Sequence, residues 1–182
     1  MTARVAVVHN GIIENFQELR AELTAAGHVF ESDTDTEAVA ILLSHEMDNG
    51  ASPQGAVART LPRLQGAFAL AIVFAGEHDL MVGARRGSPL AIGYGEGEMF
   101  IGSDALALAP LTKRISYLDE GDWAVITRDG ADVFDEDGKP VERAIRETEL
   151  SGALIGKGNY DHFMQKEIFE QPAVVGDTLQ SF

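Results

Sequence analysis

Three residues, Asn10, Gly11 and Asp35, carry the groups that are best suited to catalysis or ligand binding. The Asn10 amide and the N–H of Gly11, which has no side chain to shield it, could donate hydrogen bonds to a developing oxyanion. The Asp35 carboxylate could bind the ammonium group of a ligand. Each segment also has a simpler interpretation, because Asn-Gly is typical of a type I′ hairpin turn and an acidic residue favours the first turn of a helix. Taken separately, the local sequence favours these simpler interpretations.

The elements that must position Asn10-Gly11 are a strand and the helix after it. Residues 4–9 form a continuous, largely β-branched run, which predicts a strand buried on both faces that ends at Asn10-Gly11. Apolar residues at helical spacing predict a helix over residues 14–26, with Gly27 as its stop signal and a short extended piece at 28–31. The last residues of a strand that leads into a helix lie where binding sites are often built.

Asp35 falls at the start of the next predicted helix. The run Thr34-Asp35-Thr36-Glu37 has the form of a capping box and precedes apolar residues at helical spacing that continue to about Gly50. Ser52 followed by Pro53 then predicts a third helix over residues 53–64. We therefore expect Asp35 in the first turn of a helix.

Beyond residue 66 the chain is predicted to be mostly antiparallel sheet, which makes the fold class α+β. Short apolar runs between turn residues predict strands at 67–74, 80–84, 90–93, 99–102, 114–117, 122–127 and 132–134. A short helix is predicted at 104–108, and a helical tail at 161–179 with a break at Pro172. The glycine-rich stretch 152–158 is the nearest feature to a hinge.

Other patterns that suggest ligand sites have the wrong spacing. The glycines at 93–97 lie between two short predicted strands, which favours a hairpin over a nucleotide loop. The acidic residues at 129–137 lack the glycine and final glutamate spacing of a calcium loop, and no two histidines are four residues apart on one helix. We expect no metal and no cofactor.

Composition narrows the classes of partner. With 14 basic against 29 acidic residues and a net charge of -15, the chain has no Lys/Arg-rich face for nucleic acid. No apolar run approaches the roughly 18 residues of a membrane span, and the start has no secretion signal, so we expect no membrane and a cytoplasmic location. Cysteine is absent, which excludes thiolate chemistry within these residues. The oligomeric state stays open, and a homo-oligomer is compatible with the sequence.

Taken together, these segments resemble a known family. Residues 7–15, Val-Val-His-Asn-Gly-Ile-Ile-Glu-Asn, and residues 32–37, Ser-Asp-Thr-Asp-Thr-Glu, resemble the glutaminase domain of class II glutamine amidotransferases. Residues 84–93, 101–108 and 162–172 resemble, in the same order, the isomerising branch of that family, which aminates fructose 6-phosphate. The resemblance covers nearly the whole chain.

The resemblance implies a fold, a ligand and a role for each site residue. Members of the family fold as a four-layer αββα sandwich of the N-terminal-nucleophile hydrolase type. It implies that the Asn10 side-chain amide and the Gly11 N–H form the oxyanion hole, and that Asp35 binds the α-amino group of glutamine. In members of the family, an N-terminal cysteine thiolate attacks glutamine, which is hydrolysed to glutamate and ammonia.

The sequence departs from the family pattern at both ends. We expect the segment with the Cys nucleophile and the covering loop to be missing before residue 4, which would expose apolar groups near residues 5–8. Residues 1–160 would then be a partial glutaminase domain, and residues 161–182 a helical tail leading toward an absent sugar isomerase domain. The missing segment and that domain are expected partners. We expect the chain alone to be inactive; the alternative is a non-catalytic module that binds glutamine or docks a partner.

Overall fold

A computed structural model describes residues 2–148 and 157–180. The helices of this part of the chain are α1 (Phe16–Ala25), α2 (Asp35–Asp48), α3 (Pro53–Thr60), α4 (Ala105–Leu108) and α5 (Phe163–Gln180). The strands are β1 (Val5–Ile13), β2 (Gly66–Phe74), β3 (Met81–Arg86), β4 (Ala91–Tyr94), β5 (Met99–Gly102), β6 (Arg114–Tyr117), β7 (Trp123–Thr127), β8 (Gly130–Phe134), β9 (Pro140–Val141) and β10 (Arg146–Glu147). The predicted hinge falls largely in residues 149–156, outside the described ranges. None of the helices described is long and apolar enough to cross a membrane.

Two antiparallel sheets stack between helices. The large sheet has six strands in the order β1-β2-β3-β7-β8-β9, and the small sheet has four in the order β10-β6-β4-β5. One core packs helices α1 to α3 against the large sheet, a second fills the space between the sheets, and a third packs α4 against the small sheet. The layers are therefore helix, sheet, sheet and helix, and the last helical layer is the short helix α4.

Helix α2 is the centre of the first helical layer. Every residue from 37 to 44 is buried, because the helix is covered by α1 and α3 on its flanks and by β1 beneath. Thr34 caps its start, with its Oγ1 accepting a hydrogen bond from the Glu37 N–H at 3.4 Å. This burial fixes the position of the first turn, which carries Asp35.

Strand β1 differs from the prediction in length and burial. It runs from Val5 to Ile13 and pairs with β2 along its whole length, so it neither ends at Asn10-Gly11 nor forms a type I′ turn there. The predicted burial on both faces is also wrong. Val5 and Ile13 are buried against the helices, whereas Val8 on the opposite face is 73% exposed. The strand is an edge strand, and only one of its faces is covered.

Three helical and extended predictions also need correction. Helix α3 ends at Thr60 and continues as a 3₁₀ turn over Leu61–Arg63, since Pro62 has no N–H for an α-helical bond. Residues 28–31 form no strand, because the N–H of Glu31 bonds to the Glu37 carboxylate instead of to a neighbouring strand. The predicted break at Pro172 is wrong as well: α5 runs from Phe163 to Gln180 with Pro172 inside it, despite the hydrogen bond that a proline cannot donate.

An ion pair joins the start of β7 to the segment after β9. The Asp122 carboxylate is 1% exposed and accepts hydrogen bonds from Arg143 Nε at 2.6 Å and Nη2 at 2.9 Å. The N–H of Asp119 donates to it as well, at 2.7 Å. A buried carboxylate with this many donors depends on its cation, since an uncompensated buried charge is costly.

We expect Arg143→Ala to lower the free energy of unfolding by about 3 kcal/mol, because it leaves Asp122 buried without its cation. The matched control is Arg128→Ala. Arg128 lies 3.9 Å from Asp79 and both side chains are exposed, so its loss should cost less than about 1 kcal/mol. Urea unfolding measures both variants, and equal losses would contradict the assigned role of the buried pair.

Candidate functional site

The candidate site lies along the free edge of β1. The N–H of Ile13 points away from β2 and donates to Asp35 Oδ2 at 2.9 Å. The next residue, Glu14, points the other way and donates to the carbonyl of Gln65 beside β2. Backbone groups alternate in direction along an antiparallel pair, so the N–H of Gly11 points to the same free edge as that of Ile13. The strand thus presents an N–H donor and the Asp35 carboxylate along one edge.

Gly11 has a structural reason to be glycine. Its φ angle is +129°, and a Cβ atom there would lie 2.1 Å from the carbonyl oxygen of Ala67 and 2.8 Å from Cα of Phe68. Both of these are backbone atoms of β2 and cannot move aside without opening the sheet. The close pairing with β2 requires glycine, and the alternation of backbone groups directs the N–H of this glycine to the free edge.

Asn10 lies on the face of the sheet opposite the helices. Side chains alternate along a strand, so Asn10 shares its face with the exposed residues Val8 and Ile12. Its amide forms no hydrogen bond to the part of the chain that the structure describes. The predicted pair of donors is therefore adjacent in the chain, with the Gly11 N–H at the edge and the Asn10 amide on the uncovered face.

Asp35 is held firmly but keeps an open side. Its side chain is 23% exposed. Oδ2 accepts from the Ile13 N–H, while Oδ1 lies 3.4 Å from Thr36 Oγ1 and 3.6 Å from His9 Nδ1. A carboxylate has about four lone-pair sites, so this arrangement leaves acceptor capacity for a ligand's ammonium group. Because Asp35 also opens α2, the favourable interaction with the helix dipole applies as well.

The spacing of these groups limits the length of a ligand. Gly11 and Ile13 are two residues apart on a strand, which corresponds to about 6.6 Å at roughly 3.3 Å per residue. In an extended glutamine, the α-amino nitrogen and the carboxamide carbon are separated by four bonds, or about 5 Å. The edge of β1 therefore suits a ligand that has an ammonium group at one end and a carbonyl group at the other.

Glu37 fixes the loop that leads into Asp35. Its carboxylate is buried and accepts hydrogen bonds from the Glu31 N–H, the Ser32 N–H and the Ser32 hydroxyl, each at 2.8 Å. Burial acts to raise the pKa of Glu37, but these hydrogen bonds outweigh it, and the pKa lies below its ordinary value of 4.5. Only half of the predicted capping box forms, because the Glu37 side chain reaches this loop instead of the Thr34 N–H.

The contributions of His9 and Glu37 were not predicted from the sequence. His9 is 3% exposed at its side chain and lies against Thr36 of α2. It faces inward with Val5, Val7 and Ile13, and this period-two pattern, with one polar residue on an apolar face, is the signal that could have identified it.

Other features of the described residues carry less chemistry. Within residues 2–148 and 157–180, no three His, Asp or Glu side chains lie close enough together to hold a metal ion. His28 Nε2 and His45 Nδ1 lie 2.9 Å apart, a distance at which the two rings hydrogen-bond to each other. A cleft of about 870 Å³ lies beside β8 and β9, but its Arg143 is already paired with Asp122. The cleft contains none of the predicted site residues.

We expect Gly11→Ala to destabilise the fold by at least about 2 kcal/mol, because a side chain is strained at this φ and meets the backbone of β2. Gly130→Ala is the control, since its Cβ would meet nothing within 4 Å and its φ is not in the strained range. Chemical denaturation should separate the two variants. Equal stabilities would mean that β1 and β2 are less closely paired at Gly11 than described.

We expect Glu37→Gln to lower the free energy of unfolding by about 2 kcal/mol at neutral pH, since an amide replaces the carboxylate that accepts the loop hydrogen bonds. Because the pKa of Glu37 is lowered in the folded state, the carboxylate stabilises the fold above pH 4.5. This stabilisation is lost as the pH falls through the folded-state pKa. The variant should therefore lose less stability than the wild type on acidification below pH 4.5. Glu18→Gln, on the exposed side of α1, should change stability by less than about 0.5 kcal/mol. Thermal melts across pH test both expectations.

Comparisons with known proteins bear on the family and the fold of the chain. Residues 1–110 match a family model described as a glutamine amidotransferase domain. The chain is 59% identical over 182 residues to the glutamine--fructose-6-phosphate aminotransferase [isomerizing] of Brucella abortus biovar 1, with 100% of this chain and 30% of that protein covered. It is 61% identical over 178 residues to the protein of the same name from Zymomonas mobilis, with 98% and 29% covered. The chain thus spans about 30% of the length of these relatives.

A solved structure supports the fold. The glutamine phosphoribosylpyrophosphate amidotransferase from B. subtilis, complexed with ADP and GMP, superposes with a TM-score of 0.59 at 25% identity. The superposition covers 72% of this chain and 29% of that one. The predicted four-layer fold of the N-terminal-nucleophile hydrolase type is confirmed. Because a model of the family matches more than half of its residues, the chain belongs to the glutamine amidotransferase domain family.

Proposed function

We propose that this chain binds L-glutamine along the free edge of β1, as the glutaminase portion of an isomerising glutamine:fructose-6-phosphate aminotransferase. The observation that carries the proposal is the hydrogen bond from the Ile13 N–H to Asp35 Oδ2. It brings the carboxylate to the edge that the Gly11 N–H faces. The resulting spacing fits the two ends of glutamine.

Each site residue has a role in this proposal. The open side of the Asp35 carboxylate accepts the α-ammonium group of glutamine. The Gly11 N–H and the Asn10 amide donate to the carboxamide oxygen. Such donors stabilise the oxygen more as it becomes an oxyanion, because negative charge develops where they point. The arrangement would therefore favour attack on the carboxamide carbon as well as binding.

The attacking group is not among these residues, since they include no cysteine. We therefore infer that residues 1–182 bind and polarise glutamine without cleaving it, and that a thiolate from elsewhere in the working enzyme performs the attack. The alternative is a non-catalytic module that senses glutamine or docks a partner. The absence of cysteine is compatible with both, so activity in the assembled enzyme distinguishes them.

The division of the chain follows from the same proposal. Residues 1–160 would belong to the glutaminase domain, and residues 161–182 would lead toward a sugar isomerase domain where ammonia meets fructose 6-phosphate. The support is the identity to the named relatives over the whole chain. In addition, α5 exposes apolar side chains that a neighbouring domain could cover: Met164, Ile168, Phe169, Val175 and Leu179.

Titration calorimetry of the chain with L-glutamine tests the site. We expect one-to-one binding that weakens by about tenfold or more in Asp35→Asn, because the ammonium group loses its charged hydrogen-bond acceptor. Asp33→Asn is the matched control, since the Asp33 side chain is fully exposed nearby, and its affinity should stay within about twofold of the wild type. Equal effects of the two substitutions would argue against the assigned role of Asp35.

A coupled assay for ammonia tests the inferred lack of cleavage. The chain alone should release no ammonia from glutamine, and hydrolysis by the isolated chain would overturn the requirement for an external thiolate.

A further inference from the structure

His9 is a polar residue in an apolar setting, and it touches the candidate site. Its side chain is 3% exposed. Nδ1 lies 3.0 Å from Thr36 Oγ1 and 3.6 Å from Asp35 Oδ1. The other ring nitrogen, Nε2, is buried and has no hydrogen-bond partner among the described residues. The ring is therefore held by polar contacts on the Asp35 side only.

The hydrogen bonds define how the protons are arranged. The Thr36 hydroxyl donates to Asp35 Oδ1 at 3.4 Å, so its oxygen is left to accept from His9 Nδ1. In this arrangement His9 carries a proton on Nδ1 and donates it to the Thr36 hydroxyl oxygen. A lysine or arginine at this position would compete with the ammonium group of the ligand.

We propose that His9 is a positioning residue that fixes the Asp35 carboxylate for the ligand's ammonium group through the Thr36 hydroxyl. The inference rests on the proposed binding of glutamine. The Ile13 N–H binds one carboxylate oxygen, Oδ2, and the Thr36 hydroxyl, which contacts His9, binds the other, Oδ1. Burying the unpaired Nε2 costs stability. Positioning of the Asp35 carboxylate would explain why a polar residue is buried on the side of β1 that faces the helices.

Three variants separate positioning from general packing. His9→Leu removes both ring nitrogens and keeps an apolar side chain. His9→Asn keeps an N–H donor close to the position of Nδ1. Thr36→Val removes the hydroxyl and keeps the branched shape. Two ligands complete the design: L-glutamine, and its analogue without the α-amino group, 5-amino-5-oxopentanoate, which cannot use Asp35 as an ammonium acceptor.

We expect His9→Leu and Thr36→Val each to weaken L-glutamine binding by about fivefold to tenfold, and His9→Asn by less than about twofold. Binding of the analogue should change by less than about twofold in every variant, and His9→Leu should have no further effect in an Asp35→Asn background. Equal weakening of both ligands by His9→Leu would overturn the proposal in favour of general packing. Thermal melts identify any variant that fails to fold.

A measurement without ligand separates this proposal from the proposed function. The Ile13 amide proton is bonded to Asp35, so its hydrogen exchange in the free chain reports how firmly the carboxylate is held. Exchange should be at least about threefold faster in His9→Leu than in His9→Asn, with other β1 amides unchanged. If the wild type does not bind glutamine, the proposed function fails while this exchange still decides the role of His9. Equal exchange rates of the Ile13 amide in the two variants would overturn the positioning role of His9.

Discussion

The hydrogen bond from the Ile13 N–H to the Asp35 carboxylate joins the two elements on which the site depends. It links the free edge of β1 to the first turn of α2, and α2 itself is fixed by burial on all sides from residue 37 to 44. The edge strand would otherwise present unpaired backbone groups to solvent, which proteins usually cover or charge. Here the Asp35 carboxylate pairs with one of these groups, the Ile13 N–H, and its open side is the proposed position of the ligand's ammonium group.

Two acidic residues in the first turn of α2 are used in different ways. Glu37 is buried, and its oxygens are occupied by hydrogen bonds from the Glu31–Ser32 loop. Asp35 is only partly covered and retains an open side. Both gain from the positive end of the helix dipole, yet Glu37 contributes structure and Asp35 offers binding capacity. The two carboxylates differ in the number of hydrogen-bond donors around them, because an oxygen whose lone pairs are already occupied cannot accept a hydrogen bond from a ligand.

Local signals in the sequence predicted most elements, and long-range pairing decided the rest. The start of α2 at Asp35 follows from its own capping residue, so a short window was sufficient. The length of β1 is set by β2, which lies more than fifty residues further along the chain, and no pattern around Asn10-Gly11 reports that pairing. The role of Glu37 likewise depends on a loop that folds back onto it. The site residues themselves were suggested by family resemblance, since their local patterns favoured ordinary turns and caps.

The uncovered face of β1 has a consequence for the strength of the site. Asn10 shares this face with Val8 and Ile12, which are 73% and 64% exposed. Its amide therefore exchanges hydrogen bonds with water as freely as with any ligand. A partner that packed on those two apolar side chains would also dehydrate the amide and lower the dielectric around it, which would strengthen the proposed hydrogen bond from Asn10 to an oxyanion. Covering the face and activating the donor would be a single event, driven by the burial of apolar surface.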